Sequence, residues 1–145
     1  MSRGIRNNNP GNIKDFGIEW KGLMDHRDKT QEHIKEKTFC VFSHPWWGIR
    51  AMAKIFTNYQ TKHGLWSVRK IVNRWAPPTD DNPTTVYATF VATHMRVDID
   101  AVINLAKYDT MSRLCQSIVR FENGQDPYTW EYACGLILAG IEPDV

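Results

Sequence analysis

Several absences narrow the field before any motif is considered. The longest apolar stretches, such as Cys134 to Ile141, fall far short of the ~20 residues a helix needs to cross a bilayer, which excludes a helical membrane span. Charge of one sign is scarce. Lysine and arginine total 18 against 16 aspartates and glutamates, a formal net charge of +2, whereas a dedicated nucleic-acid binder concentrates cations on one face. Nucleic acid is therefore not an expected partner; a helical binder using Arg50, Lys54, Lys62, Arg69, Lys70 and Arg74 is the rival that salt-dependent DNA binding would reveal. Cysteine is sparse as well: Cys40, Cys115 and Cys134 are odd in number, have no metal-ligand spacing and lie in apolar stretches, so they read as reduced core residues. His33, His44, His63 and His94 form no metal-binding spacing. Neither a phosphate-cradling glycine loop nor a nucleophilic serine elbow occurs, and no metal or cofactor is implied. The opening Met1-Ser2-Arg3-Gly4-Ile5-Arg6 lacks the apolar core of a secretory signal, so the expectation is a chain made and kept in a cytoplasm.

What is present suits one ordinary domain over 1–145, with 42% apolar and 23% charged residues. The expected class is mainly α. Lys14, Lys21, Arg27, Lys29, Lys35 and Lys37 alternate with Asp15, Glu19, Asp25, Asp28, Glu32 and Glu36, which reads as a solvated face. Asn7-Asn8-Asn9-Pro10-Gly11-Asn12 is a dense cluster of turn formers. The stretch after it, to about His44, lacks helical periodicity and carries the β-formers Thr38 to Phe42, so a small N-terminal hairpin or three-stranded ribbon is expected.

From Trp47 the pattern turns helical. Ile49, Met52, Ala53, Phe56 and Tyr59 recur at spacings of three and four until His63-Gly64. Val68, Ile71, Val72 and Trp75 repeat it from a cap at Ser67 to Pro77-Pro78. Asn82-Pro83 predicts the start of a third helix through Val86, Tyr87, Phe90, Val91 and His94. A shorter helix is expected over Asp100 to Lys107, and a last one from Thr129 to Ala139 with Trp130, Ala133, Cys134, Ile137 and Leu138 as its stripe.

The informative helix starts at Asp109 or Thr110. Met111, Leu114, Cys115, Ile118 and Val119 form one apolar stripe, while Arg113, Gln116, Ser117 and Arg120 take the opposite face. The next position of the stripe is Glu122, and Asn123-Gly124 ends the helix. A carboxylate stands where a core residue belongs. Partial burial and the carbonyl end of the helix dipole both favour the protonated carboxyl, as general-acid work requires. The competing reading is a frayed, exposed helix end or a simple pair with Arg120.

Two segments, residues 3–13 (Arg3-Gly4-Ile5-Arg6-Asn7-Asn8-Asn9-Pro10-Gly11-Asn12-Ile13) and residues 118–124 (Ile118-Val119-Arg120-Phe121-Glu122-Asn123-Gly124), resemble motifs of phage virion-associated lytic proteins with a lysozyme-like domain. Trp47-Gly48-Ile49-Arg50-Ala51 and Ile71-Val72-Asn73-Arg74-Trp75-Ala76-Pro77-Pro78 resemble that family too, so the likeness spans nearly the whole chain. In goose-type lysozymes and lytic transglycosylases the acidic glutamate precedes a hairpin and a tyrosine-bearing helix. Here the turn-rich segment comes first and Glu122 late, which implies a circularly permuted lysozyme-like fold.

The resemblance implies peptidoglycan glycan-strand cleavage, as a muramidase or a lytic transglycosylase, by a phage lytic protein. It assigns the acid to Glu122 and a catalytic role to Tyr87, with Asn12 and Asn123 on the substrate; the alternative for the tyrosine and asparagines is local structure. Among the six tryptophans, Trp46, Trp47 and Trp75 are candidates for stacking on sugar rings, although Trp47 and Trp75 also fit helix cores. Hydrolysis with inversion needs a second carboxylate roughly 6.5–9.5 Å away. Glu19 is its candidate, departing from the polar residue the family favours there, with Asp25, Asp80 and Asp81 behind it. The expected partners are bacterial peptidoglycan and other virion proteins, and the expected state is a monomer. Such a protein is expected in the virion, or in the host cytoplasm until release to the cell wall. A non-enzymatic glycan-binding or structural virion protein of the same shape is the alternative.

Overall fold

The longest helix organises the fold. In the computed structural model, which describes residues 1–144, α3 (Pro45–His63) starts with proline in its first turn and ends on the left-handed Gly64, as the ring geometry of one and the missing Cβ of the other favour. Its stripe Ile49, Met52, Ala53 and Phe56 is fully buried. Two short helices precede it, α1 (Arg3–Arg6) and α2 (Gln31–Lys35), and four follow: α4 (Val68–Trp75), α5 (Thr84–Met95), α6 (Tyr108–Asn123) and α7 (Trp130–Leu138). α7 lies along α3, and α5 packs between α4 and α6. The described residues are thus mainly helical.

The expected stripes of α4 and α6 hold. Ser67 caps α4 by accepting from the Lys70 N–H at 3.3 Å. Met111, Leu114, Cys115, Ile118 and Val119 are all fully buried, each large side chain contributing about 1.5–3 kcal/mol. That anchorage fixes the rotation of α6 and brings Glu122, one step further along the stripe, to its half-buried position. Ser117 was expected on the outer face but is fully buried. It donates its one proton to the Arg113 carbonyl and accepts from His94 Nδ1 at 2.8 Å, so its polar atom costs little where α5 meets α6.

The expected N-terminal ribbon is absent among the described residues. Only two isolated antiparallel bridges form, Lys14 with Phe39 and Leu23 with Phe42. Between them the chain coils through a 3-10 turn (His26–Asp28) and α2, whose Thr30 forms a capping box with His33. Side-chain acceptors there offer the backbone partners that a ladder would otherwise supply.

The helix expected over Asp100 to Lys107 does not form either. Gln60, 5% exposed, pins that segment open: its Nε2 donates to the carbonyls of Leu65 and Ile103, and its Oε1 accepts from the Leu105 N–H. Asn82 donates to the Pro77 carbonyl rather than capping α5, and Pro83 stands at the cap rather than in the first turn. Val86, assigned to the inner stripe, is 64% exposed.

α7 is rotated from its expected face. Tyr132, Gly135 and Leu136 are buried, whereas Trp130, Ile137 and Leu138 are exposed, and Cys134 is half-buried. Gly135 decides this. A Cβ there would sit 2.7 Å from Ile49 Cγ2 and 2.8 Å from the Trp46 carbonyl, so the helices close on the one residue without a side chain.

Candidate active site at the end of α6

The asparagine-rich turn is a hub of backbone hydrogen bonds. Asn8 and Asn12 adopt left-handed backbone, with φ of 51° and 53°, a conformation asparagine tolerates better than most residues. Fully buried Asn9 donates to the carbonyls of Ile13 and Cys40 and accepts from the Ile13 N–H. Asn8 donates to the Phe42 carbonyl. Asn7 donates to Glu36, which also accepts from Arg3, Arg6 and the backbone N–H groups of Thr38 and Phe39. Expected on a solvated face, Glu36 instead has no exposed side-chain surface, and its bonds to Arg3 hold the carboxyl well below the usual carboxylate range.

This hub is tied to the end of α6. Asn123 accepts from Ser2 Oγ at 2.6 Å and donates to the carbonyls of Pro10 and Val119. Gly4 permits the approach, since a Cβ there would meet Asn123 Oδ1 at 2.6 Å. The turn thereby delivers Asn12 to Glu122.

Both oxygens of Glu122 are engaged. Asn12 Nδ2 donates to Oε1 at 2.9 Å, and Tyr87 Oη donates to Oε2 at 2.8 Å. Trp75 Nε1 in turn donates to Tyr87 Oη at 3.2 Å. All donors in this chain point towards the carboxylate, so each polarises the next. Burial and the neighbouring Glu122 charge push the Tyr87 phenol well above its ordinary value, and Tyr87 therefore stays a donor. Its ring stacks on Phe121 at 3.8 Å between centroids. Asn12 Oδ1 is buried without a partner.

Glu122 opens onto a groove of about 640 Å³. One wall is the face of α3 carrying Ile55, Asn58, Tyr59 and His63; another is the end of α4, with Arg74 and Trp75, and the turn beyond it, with Asp80 and Asn82. The N-terminal segment closes the third side with Lys14, Phe16, Ile18 and Trp20. Phe16 and Ile18 are 80% and 55% exposed, an apolar lip beside a carboxylate. A partly aromatic groove of this size fits a ligand with flat apolar faces and polar edges.

No family model matches the chain. It is 38% identical over 133 residues to Protein P5 of Pseudoalteromonas phage PM2, an alignment covering 90% of this chain and 76% of that protein. The chain belongs to the P5 family. Its relative is thus a phage protein, and among the described residues no helix of this P5-family chain is long and apolar enough to cross a membrane.

Of the residues singled out from sequence, the P5-family fold brings Asn12, Trp75, Tyr87 and Glu122 into one hydrogen-bonded chain. Asn123 lies beside them with both polar atoms spent on Ser2, Pro10 and Val119, which makes it a strut of the site rather than a group facing the groove. Trp46 is elsewhere: it stacks on His44 at 4.2 Å and leans on Trp130, because it occupies the first turn of α3 whereas the groove runs along that helix's far end. Glu19 is exposed and does not line the groove, although Ile18 and Trp20 on either side of it do. The carboxylate that shares the groove with Glu122 is Asp80, 3.9 Å from Lys14 Nζ. Sequence reasoning missed Phe16, Ile18 and Trp20 as groove residues. Their alternation with polar residues in a segment too short of apolar neighbours to bury them was the available signal.

Proposed function

We propose that this chain is a phage lytic enzyme that cleaves the glycan strands of peptidoglycan, with Glu122 as the proton donor on a lysozyme-like, permuted helical scaffold. The observation that carries the reading is the half-buried Glu122 at the groove, with Asn12 and Tyr87 each donating to one of its oxygens. Membership in a phage protein family supports it.

The chemistry follows from the donor arrangement. Protonated Glu122 gives its proton to the glycosidic oxygen, the bond from that oxygen to the anomeric carbon breaks, and positive charge develops on the sugar. The carboxylate left behind is the species that Asn12 and Tyr87 bind best, since hydrogen bonds to a charged acceptor are the stronger ones. Tyr87, holding its phenolic proton, keeps its hydrogen bond to Glu122 once the proton has left. The sugar cation is then captured either by water, for which Asp80 is the base that shares the groove, or by the sugar's own hydroxyl, which leaves an anhydro end. Trp20, Tyr59 and Trp75 supply aromatic surface for the sugar rings. The enzyme acts from the virion during entry, or from the host cytoplasm at lysis.

A second reading has an observation of its own. The Trp75–Tyr87–Glu122–Asn12 chain joins α4, α5, α6 and the N-terminal turn, so it also serves as a structural tie in a non-enzymatic virion protein that binds glycan or holds a particle together. The experiment is turbidity loss of outer-membrane-permeabilised bacteria by the parent and by Glu122→Gln, with mass spectrometry of released fragments. Lysis by the parent, reduced about 100-fold or more in the variant, is expected, and reducing or anhydro ends then name the reaction. Equal lysis by both moves the acid elsewhere. A folded parent that releases nothing leaves the structural tie.

A further inference from the structure

The groove holds two cationic side chains, Lys14 and Arg74, beside the imidazole of His63, and two carboxylates, Glu122 and Asp80. The carboxylates are already engaged: Glu122 by Asn12 and Tyr87, Asp80 with Lys14 at 3.9 Å. Arg74 is left over. Among the described residues it makes no salt bridge and no side-chain hydrogen bond, yet it is not loose, because its guanidinium carbon stands 5.4 Å from the centroid of the Tyr59 ring. That cation–π contact holds the planar fork at the groove wall with its N–H donors unspent. Arg74 also precedes Trp75 in the chain, so its position is set by the same helix end that supports Tyr87.

An oriented guanidinium with unspent donors, in a groove whose carboxylates already have partners, matches a planar anion. We propose that Arg74 is a substrate-binding residue that recognises a carboxylate carried by the glycan, so that the groove selects anionic strands over neutral ones. This rests on the glycan-cleaving reading and adds the feature of the strand that is read. Two sources offer that carboxylate: the lactyl ether of a muramic acid whose peptide has been removed, and the peptide stem where it is present. Tyr59 acts as the positioning residue for the guanidinium.

The test is calorimetric binding to Glu122→Gln protein, which keeps strands intact, beside the same protein carrying Arg74→Gln. Three probes are used at low salt: peptide-bearing glycan strands, peptide-free strands that retain the lactyl carboxylate, and neutral chitin oligosaccharides. Circular dichroism of both proteins verifies the fold. Loss of one exposed charge-assisted contact predicts binding weaker by roughly tenfold for carboxylate-bearing strands, unchanged binding of the chitin oligosaccharide, and a difference that shrinks as salt rises. Arg74→Lys keeps the charge without the fork and is expected in between. A drop confined to peptide-bearing strands assigns the stem as the source, a drop confined to peptide-free strands assigns the lactyl group, and a drop for both shows that Arg74 reads either carboxylate. Equal losses on all three probes, or no loss on any, overturn the role of Arg74 while leaving glycan binding intact. Binding of none of the probes by either folded protein overturns the glycan reading itself.

Discussion

Replacing Tyr87 with phenylalanine removes one oxygen atom and keeps the ring stacked on Phe121. Two hydrogen bonds go with that oxygen, the donation to Glu122 at 2.8 Å and the acceptance from Trp75 at 3.2 Å. The bond to a charged acceptor is worth about 1.5–3 kcal/mol. Trp75 is half-buried and Glu122 faces an open groove, so water recovers part of both losses and the net cost is about 2 kcal/mol. For a chain of this size that is a fall of about 4–8 °C in Tm. Urea unfolding followed by circular dichroism at neutral pH measures it, with an unchanged slope against urea marking a loss confined to the native state.

A pH series sharpens the same prediction. The folded protein keeps the Tyr87 proton well above 10.0, where the unfolded chain begins to release it, so this part of the stability is present below about pH 10 and is lost as pH rises beyond it. Tyr87→Phe lacks the group. The gap between parent and variant therefore narrows above pH 10. A gap under about 0.5 kcal/mol at neutral pH, or one that stays constant through pH 11, would refute the claim that the phenol is a donor locked onto Glu122.

Glu36→Gln tests the N-terminal hub: about 1–3 kcal/mol of stability is lost at neutral pH, allowing for the exposure of Arg3. Because the folded carboxyl lies below its ordinary 4.5, this contribution is present above that value and disappears as pH falls through the folded one, so the two unfolding midpoints converge in acid. Gln60→Leu leaves the carbonyls of Leu65 and Ile103 and the N–H of Leu105 without their partner. A loss of about 3–5 kcal/mol follows, and hydrogen exchange should show the Leu105 amide losing protection.

The parts of the fold legible in the sequence were those governed by neighbours three and four residues away. The stripe from Met111 to Val119, the Ser67 cap and the stop at Gly124 all depend on local spacing, and they were enough to single out Glu122 as a carboxylate on an apolar face. The resemblance pointed to Asn12 and Tyr87, which lie 110 and 35 residues from Glu122 along the chain and bond directly to it. Trp46 and Glu19 lie away from the groove, a placement the sequence could not give because neither helical period nor residue type says which end of a helix, or which side of a loop, faces a groove.

What the sequence alone determined was the helical class, the periodicity of the long helices and the anomaly at Glu122, since each is set by backbone geometry acting over one or two turns. Tertiary structure decided the rest. The face that α7 buries follows from the missing Cβ of Gly135 against Ile49, the open path of residues 100–107 from the reach of Gln60, and the burial of Glu36 from two arginines some 30 residues upstream. Each of those outcomes turns on one close approach between segments distant in the chain, where a single atom added or a single donor supplied changes which arrangement is lowest in free energy.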